Sequence, residues 1–365
     1  MCSKIYLPLL AGALIVSAQS GQKLVPKIDL PAGGPLSMLS ADWGESSATP
    51  RGGAYDVDVR ASLSFKNLSQ QRIRAVTLAV LAQEATPGGK GSVSVPSLDV
   101  APGETFPINI NMHLLRPIGG AEASVQVRLD GVLFDDLTFF GPDKLNSRRT
   151  MTVWELEARR DRQYFKKVLE TAGNKGLQDA MIESLTRQSD PPPGGVQVIR
   201  GRVTNVDPER ELAYAFLHFP DAPVQASGGI VSIAENKMHA PRVAVTNRSN
   251  RPINYVEIGW IVKDQDGREY LGLSMPADVS LAPGRTGQID ENASMAFTKR
   301  ISIRGMTGFL SSVGFADGSY WIPDRATLAD QQLHHVLAPS PEEQRLAQLY
   351  QKRGLNRLIE ELKKF

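Results

Sequence analysis

The chain is almost without cysteine: Cys2 is the only one among 365 residues. It stands ahead of the apolar run 5–16, whereas a lipoprotein attachment cysteine would follow such a run, so a lipid anchor is not expected. Loss of the N-terminus would leave no cysteine at all, which excludes disulfides, thiolate metal sites and thiol catalysis. Charge of one sign is missing too. The 41 basic and 39 acidic residues sum to +2, or +1 without Lys4. Nucleic-acid binders carry a basic patch to neutralise phosphate, so nucleic acid is not an expected partner. The most basic stretch, 148–175, interleaves Glu155, Glu157, Asp161 and Glu170 and reads as the solvated face of a helix. Long hydrophobic runs are also absent. The run 5–16 is too short to span a bilayer and contains Pro8 and Gly12, and no other segment could serve as a transmembrane anchor.

What the N-terminus does contain is the order of a secretory signal. Lys4 precedes the apolar run, and Val16-Ser17-Ala18 supplies small residues for cleavage after Ala18. The expected destination is the periplasm or the extracellular space.

Self-similarity organises the rest. Leu63-Ser64-Phe65-Lys66-Asn67-Leu68-Ser69 aligns with Val243-Ala244-Val245-Thr246-Asn247-Arg248-Ser249 at an offset of 180 residues. Ala101-Pro102-Gly103 matches Ala282-Pro283-Gly284, and Pro142-Asp143 matches Pro323-Asp324, both at 181. Lys175-Gly176-Leu177 resembles Arg353-Gly354-Leu355 at 178, while Asp130-Gly131 aligns with Asp317-Gly318 only at 187. A tandem repeat is expected.

Within the first copy Tyr55, Val57, Val59, Ala61, Leu63 and Phe65 alternate with polar residues, the period-two pattern of a half-buried strand. Val76, Leu78 and Val80 begin another strand, and Val125, Val127 and Leu129 one that ends at Asp130-Gly131. In the second copy Val256, Ile258, Trp260 and Val262 form a strand before the turn Asp266-Gly267. Helical spacing follows each β-rich stretch. Thr152 to Glu155 reads as a capping box ahead of Trp154, Ala158, Phe165 and Val168, with a break between Gly173 and Gly176. Ser340, Pro341 and Glu343 start a second such tail, interrupted at Gly354. The fold class is therefore mainly β with α-helical tails. It consists of two tandem antiparallel β-sandwich domains, each followed by a helix-glycine-helix segment. The expected division is a signal peptide over 1–18, domain 1 over 19–148, tail 1 over 149–188, a Pro/Gly linker over 189–195, domain 2 over 196–335 and tail 2 over 340–365.

Candidate chemistry is thin. His113, His218, His239, His334 and His335 have no metal-ligand spacing. The run Asp264 to Glu269 is short of oxygen ligands for calcium and reads as a hairpin turn. Gly88-Gly89-Lys90-Gly91-Ser92 misses the phosphate-loop spacing and reads as a loop between strands. Nucleophile-elbow and dinucleotide fingerprints are missing. Asp135 and Asp136 read as solvated, and Asn67 and Asn247 as turn residues that are also formal glycosylation acceptors with Ser69 and Ser249. Phe139-Phe140 and Tyr320-Trp321 could form a carbohydrate platform, but core filling is the cheaper reading. No catalytic, cofactor-binding or metal-binding residues are assigned, and no cofactor is expected.

The Asn-x-Ser turn, the Ala-Pro-Gly-x-Thr turn and the Asp-Gly strand end resemble those of secreted bacterial immunoglobulin-like or fibronectin-type domains, over 55–142 and 242–323. That resemblance implies adhesion, scaffolding or substrate presentation. The expected function is an exported, non-enzymatic binding, adhesion or scaffolding protein with a protein or polysaccharide partner outside the cytoplasm. The alternatives are an extracytoplasmic hydrolase with a loop-borne site, or a chaperone-like accessory domain offering a strand edge.

Overall fold

A computed structural model of the chain describes residues 22–83, 88–117, 124–189, 196–200, 210–234, 237–239, 241–290, 293–297 and 302–365. The expected signal peptide, Cys2 and residues 190–195 of the expected linker lie outside them. The chain is mainly β with a few helices, and it divides into two compact units. Unit 1 runs to Val95 and from Asp99 to Ser147; unit 2 comprises Pro96–Leu98 and Arg148–Phe365.

Unit 1 contains β1 (Gln22–Lys23), β2 (Val25–Asp29), β3 (Leu36–Asp42), β4 (Ser47–Arg51), β5 (Ala54–Asn67), β6 (Ile73–Leu81), β7 (Lys90–Val95), β8 (Thr105–Pro117), β9 (Ser124–Phe134) and β10 (Phe139–Phe140). They form two five-stranded sheets. In the first, β5 pairs along its whole length with β8, while β4 and β3 share its other edge. Its alternation works as a face selector: Val57, Val59, Ala61, Leu63 and Phe65 are buried, and the residues between them are polar. In the second sheet β6 lies between β7 and β9 and buries almost every residue, Arg74 and Thr77 included, so it shows no alternation of wet and buried faces. β2 joins β9 in parallel and β10 joins its far end.

The strand expected to end at Asp130-Gly131 continues to Phe134, with a register shift opposite Thr77 and Leu78. The bulge turns the Asp130 carboxylate inward, where it accepts from the Lys144 and Leu145 amides and, at 2.7 Å, from the Ser147 hydroxyl. A side chain at Gly131 would collide with the Phe139 ring at 2.4 Å. These are tertiary demands on an Asp-Gly pair that looks like a turn locally.

Unit 2 starts on α1 (Ser147–Ser189), followed by β11 (Val196–Arg200), β12 (Arg210–Phe216), β13 (Val224–Ala226), β14 (Gly229–Ala234), β15 (Lys237–His239), β16 (Val243–Asn247), β17 (Ile253–Asp264), β18 (Glu269–Leu281), β19 (Thr286–Ile289), β20 (Ala293–Phe297), β21 (Ile303–Phe315) and β22 (Tyr320–Trp321). It closes on α2 (Arg325–Leu328), α3 (Gln331–Val336) and α4 (Pro341–Leu362). Among the described residues its strands form a nine-stranded and a three-stranded sheet. The β core centres on the fully buried Trp260, whose ring lies 5.2 Å from Tyr214 and 5.3 Å from Phe216. Its indole N–H meets Met275 Sδ at 3.0 Å.

A second core joins α1 to α4 through Phe165, Leu177, Met181, Leu346, Ala347, Leu358 and Leu362. Each helix is broken by a glycine with left-handed φ: Gly173 at φ 66° and Gly354 at φ 78°. Gly176 stays helical. Two readings of the sequence are corrected here. Thr152 does not cap a helix: α1 already begins at Ser147, and the Thr152 hydroxyl donates back to the Arg148 carbonyl at 2.7 Å. Nor is 148–175 simply a solvated face. Glu155, Asp161 and Arg162 are 3%, 0% and 3% exposed, because the helix is packed on more than one side and its charges find partners there.

Candidate functional site

The helices of unit 2 carry two runs of buried ion pairs. In one, Arg162 bonds Glu155 at 2.8 Å and Glu342 at 3.3 Å, and Arg345 bonds both Glu342 and Glu361 at 2.8 Å. In the other, Asp161 accepts from Arg160, Arg325 and the Ser340 hydroxyl, and Glu343 accepts from Arg325 and Arg187. Burial alone would raise the Glu343 carboxyl, but the Arg325 bond and the Arg325 and Arg187 charges hold it below its ordinary value. Ser340 works as an N-cap, accepting from the Glu343 amide at 3.1 Å. The Glu343 side chain does not complete a capping box, since it is turned to the two arginines.

This second network floors a cleft of about 850 Å³ within unit 2. One wall is α1, contributing Glu157, Tyr164, Lys167 and Val168; the opposite wall is the α2–α3 region and the start of α4. Phe309 and Ser311 of β21 reach it from the sheet. The size suits a small molecule or short peptide. Glu157 is partly buried there, and its carboxyl is pushed up to about 7. Burial is the main cause; Arg160 opposes it, while Asp161 and Glu257 add repulsion. His334 also lines the cleft, with Nε2 at 3.4 Å from Glu183; burial and the Arg187 charge lower its pKa.

The residues singled out in the sequence are not brought together. Asn67 and Asn247 are both buried, and their amides donate to backbone carbonyls: Gln71 and Val100 for the first, Arg251 and Leu281 for the second. Neither amide is free in the folded chain, so turn formation accounts for both. Asp264 spends its carboxylate on the amides of Asp266 and Arg268 and on the Tyr270 hydroxyl, and Gly267 takes φ 80° in the hairpin. Gly88 turns with φ 79° into β7, and Lys90 is exposed. Asp136 is taken up by Thr138 and by Gln71 at 2.7 Å.

Phe139, Phe140, Tyr320 and Trp321 are half-buried edge residues; Trp321 donates to Asp221 at 3.1 Å. On the wet face of β5, His113 comes within 3.9 Å of Asp56 and 3.7 Å of Asp58, a meeting across strands that helical spacing rules could not find. Among the described residues no group of three or more His, Cys, Asp or Glu is arranged to hold a metal ion. His218 and His239 lie away from the cleft lining. No described helix is long and apolar enough to cross a membrane.

No known protein family matches the chain, and no curated protein is similar to it. Among solved structures it is similar to red sea bream transglutaminase, with 9% identity, a TM-score of 0.14 and coverage of 76% of this chain and 31% of that one. It is also similar to Kluyveromyces marxianus β-glucosidase, with 10% identity, a TM-score of 0.17 and coverage of 73% and 45%. The CBM32 domains of Clostridium perfringens ZmpB give 8% identity, a TM-score of 0.11 and coverage of 75% and 90%. The chain thus spans less than half the length of the first two. These likenesses are weak and carry no argument about function.

Sequence reasoning missed the cleft and Glu157. One signal was available: Glu155, Asp161 and Arg162 fall among the apolar positions of α1, where a purely solvated face would not put them.

Proposed function

We propose that this is an exported, non-enzymatic binding protein whose ligand site is the unit 2 cleft. The observation that carries the reading is how the polar groups around the cleft are used. Ser340 is bonded to Asp161 and to the α4 amide, Ser184 lies against Gln188, and all three cleft arginines are bound to carboxylates. Hydroxyls engaged this way are poor nucleophiles, while a preformed, rigid wall is what a binding site needs.

The chain also reads as two tandem copies of a β-sandwich followed by a helical tail. The Asn67 bonds recur at Asn247, and Asn67 pairs with Leu36 as Asn247 does with Val224. Lys66 pairs with Thr105 as Thr246 does with Thr286. Parallel β2 against β9 recurs as β12 against β21. At a constant offset of 181 residues, Gly173, Phe165, Leu177 and Met181 correspond to Gly354, Leu346, Leu358 and Leu362. In this register Asp317-Gly318 corresponds to Asp136-Leu137, whose Leu137 shares the left-handed φ of Gly318, rather than to Asp130-Gly131.

The test uses the full chain in its native host. An extracytoplasmic fraction is probed with the wild type and with Ala326→Trp, whose indole would crowd the exposed cleft wall. Recovery of one reproducible ligand, lost with the tryptophan variant, is the expected result; a mature N-terminus at Gln19 in that fraction would support export. The second reading is a hydrolase, favoured by the raised pKa of Glu157, a property of general acids. Turnover of a polymeric substrate that disappears in Glu157→Gln would replace the binding reading with this one.

A further inference from the structure

We propose that the unit 2 cleft takes a ligand with an ammonium or guanidinium group, seated against the Glu157 carboxylate, its apolar body resting on the half-buried Tyr164, Val168 and Leu337. The inference rests on the cleft being a ligand site and adds the ligand's charge.

It follows from which charges in the cleft are already used. Arg160 bonds Asp161 at 3.1 Å and the Pro323 carbonyl at 3.0 Å. Arg187 bonds the Leu337 carbonyl at 3.0 Å, and Arg325 bonds Glu343 at 2.6 Å. An anionic ligand would have to break these buried pairs, and removing a partner from a buried pair is strongly destabilising. Among the acids, Asp324 caps α2 through the Thr327 amide and Glu183 faces His334. Glu157 lines the same cavity, yet no described residue donates a hydrogen bond to it; the charges around it are Arg160, Asp161 and Glu257. What the cavity lacks at that wall is a donor, and a cation supplies one with the strength of a charge-assisted bond. Lys167, the other cleft charge without a bonded partner, sits on the exposed rim. It is ten residues along α1 from Glu157, or about 15 Å at helical rise, so the two leave Glu157 its own field.

The position of Glu157 in the cavity also predicts a linked proton. With its carboxyl pushed up to about 7, Glu157 is about half protonated at neutrality, and a seated cation would favour the ionised form. Binding at pH 7 should then release a fraction of a proton, about half.

Three probes with one apolar body decide the matter: 4-phenylbutylamine, 4-phenylbutanol and 4-phenylbutyrate, titrated calorimetrically into the full chain. The amine should bind about tenfold or more tightly than the alcohol and the acid, and lose that advantage in Glu157→Gln. In the wild type, heats measured in buffers of different ionisation enthalpy should show proton release with the amine alone. If the alcohol or the acid binds as well as the amine, the cleft remains a ligand site and the cation inference falls. The same holds if Glu157→Gln leaves the preference intact. If none of the three binds, both the inference and the cleft reading fall.

Discussion

At the scale of single residues, Glu157 and the two turn asparagines have opposite relations to their surroundings. Glu157 is a group whose folded pKa lies above its ordinary value of 4.5, at about 7. The native state therefore holds the proton over that interval while the unfolded state has lost it. Its contribution is fully present below pH 4.5 and is lost as the pH rises through 7. Glu157→Gln should raise stability at pH 8, by about 1 kcal/mol or more, and flatten the slope of stability between those values. Urea melts of both proteins at several pH values check this; identical slopes would refute it. Asn67 and Asn247 are the reverse case, with every amide hydrogen bond satisfied. Asn247→Ala would remove the amide's donors to the Arg251 and Leu281 carbonyls, leaving Arg251 the Ser249 hydroxyl, and should cost about 1–3 kcal/mol. Asn67→Ala should cost a similar amount, read from the same melts.

At the scale of elements, the broken helices α1 and α4 depend on two backbone conformations. A β-carbon added at Gly173 or Gly354 would have no neighbour within 4 Å, so an alanine fits the space at either position. The whole cost of Gly173→Ala or Gly354→Ala is a backbone of positive φ and extended ψ that is essentially reserved for glycine, about 1–3 kcal/mol each. Circular dichroism should show the fold retained at a lower melting temperature. The ion pairs between these helices are the larger risk. Arg162→Met leaves Glu155 to Arg159 alone and Glu342 to Arg345 alone, and should cost about 3 kcal/mol, the lower end for a broken buried pair. Acid should loosen the same contact. Glu343 and Glu361 both have lowered pKa values, so their stabilisation is present above pH 4.5 and is lost as the pH falls below it.

For the molecule as a whole, the question is where the chain can be cut. A boundary at 190–195 follows from the prolines, yet α1 packs with α4 and belongs to unit 2. A fragment 148–365 should fold cooperatively. A fragment 196–365, stripped of α1, would expose Leu346, Leu358 and Leu362 and leave Glu342 and Glu343 short of arginines. It should melt markedly lower or fail to fold, and equal stability of the two fragments would contradict this.

How much of this was legible beforehand differs by type of signal. The alternation in β5, the turns at Asn67 and Asn247 and the Ser340 cap are carried by neighbours within a few residues, and the sequence alone determined them. Local patterning also fixed the mainly β character. The tertiary structure decided everything that depends on distant partners. Asp130-Gly131 became a bulge rather than an end because Ser147 needs the carboxylate and Phe139 needs the space. The charges of α1 turned inward because Glu342, Glu343 and Arg325, more than 150 residues away, complete their pairs. The cleft exists only where α1, β21 and the closing helices meet. Periodicity records which face of an element is buried; it holds no record of which charge will be waiting on the other side.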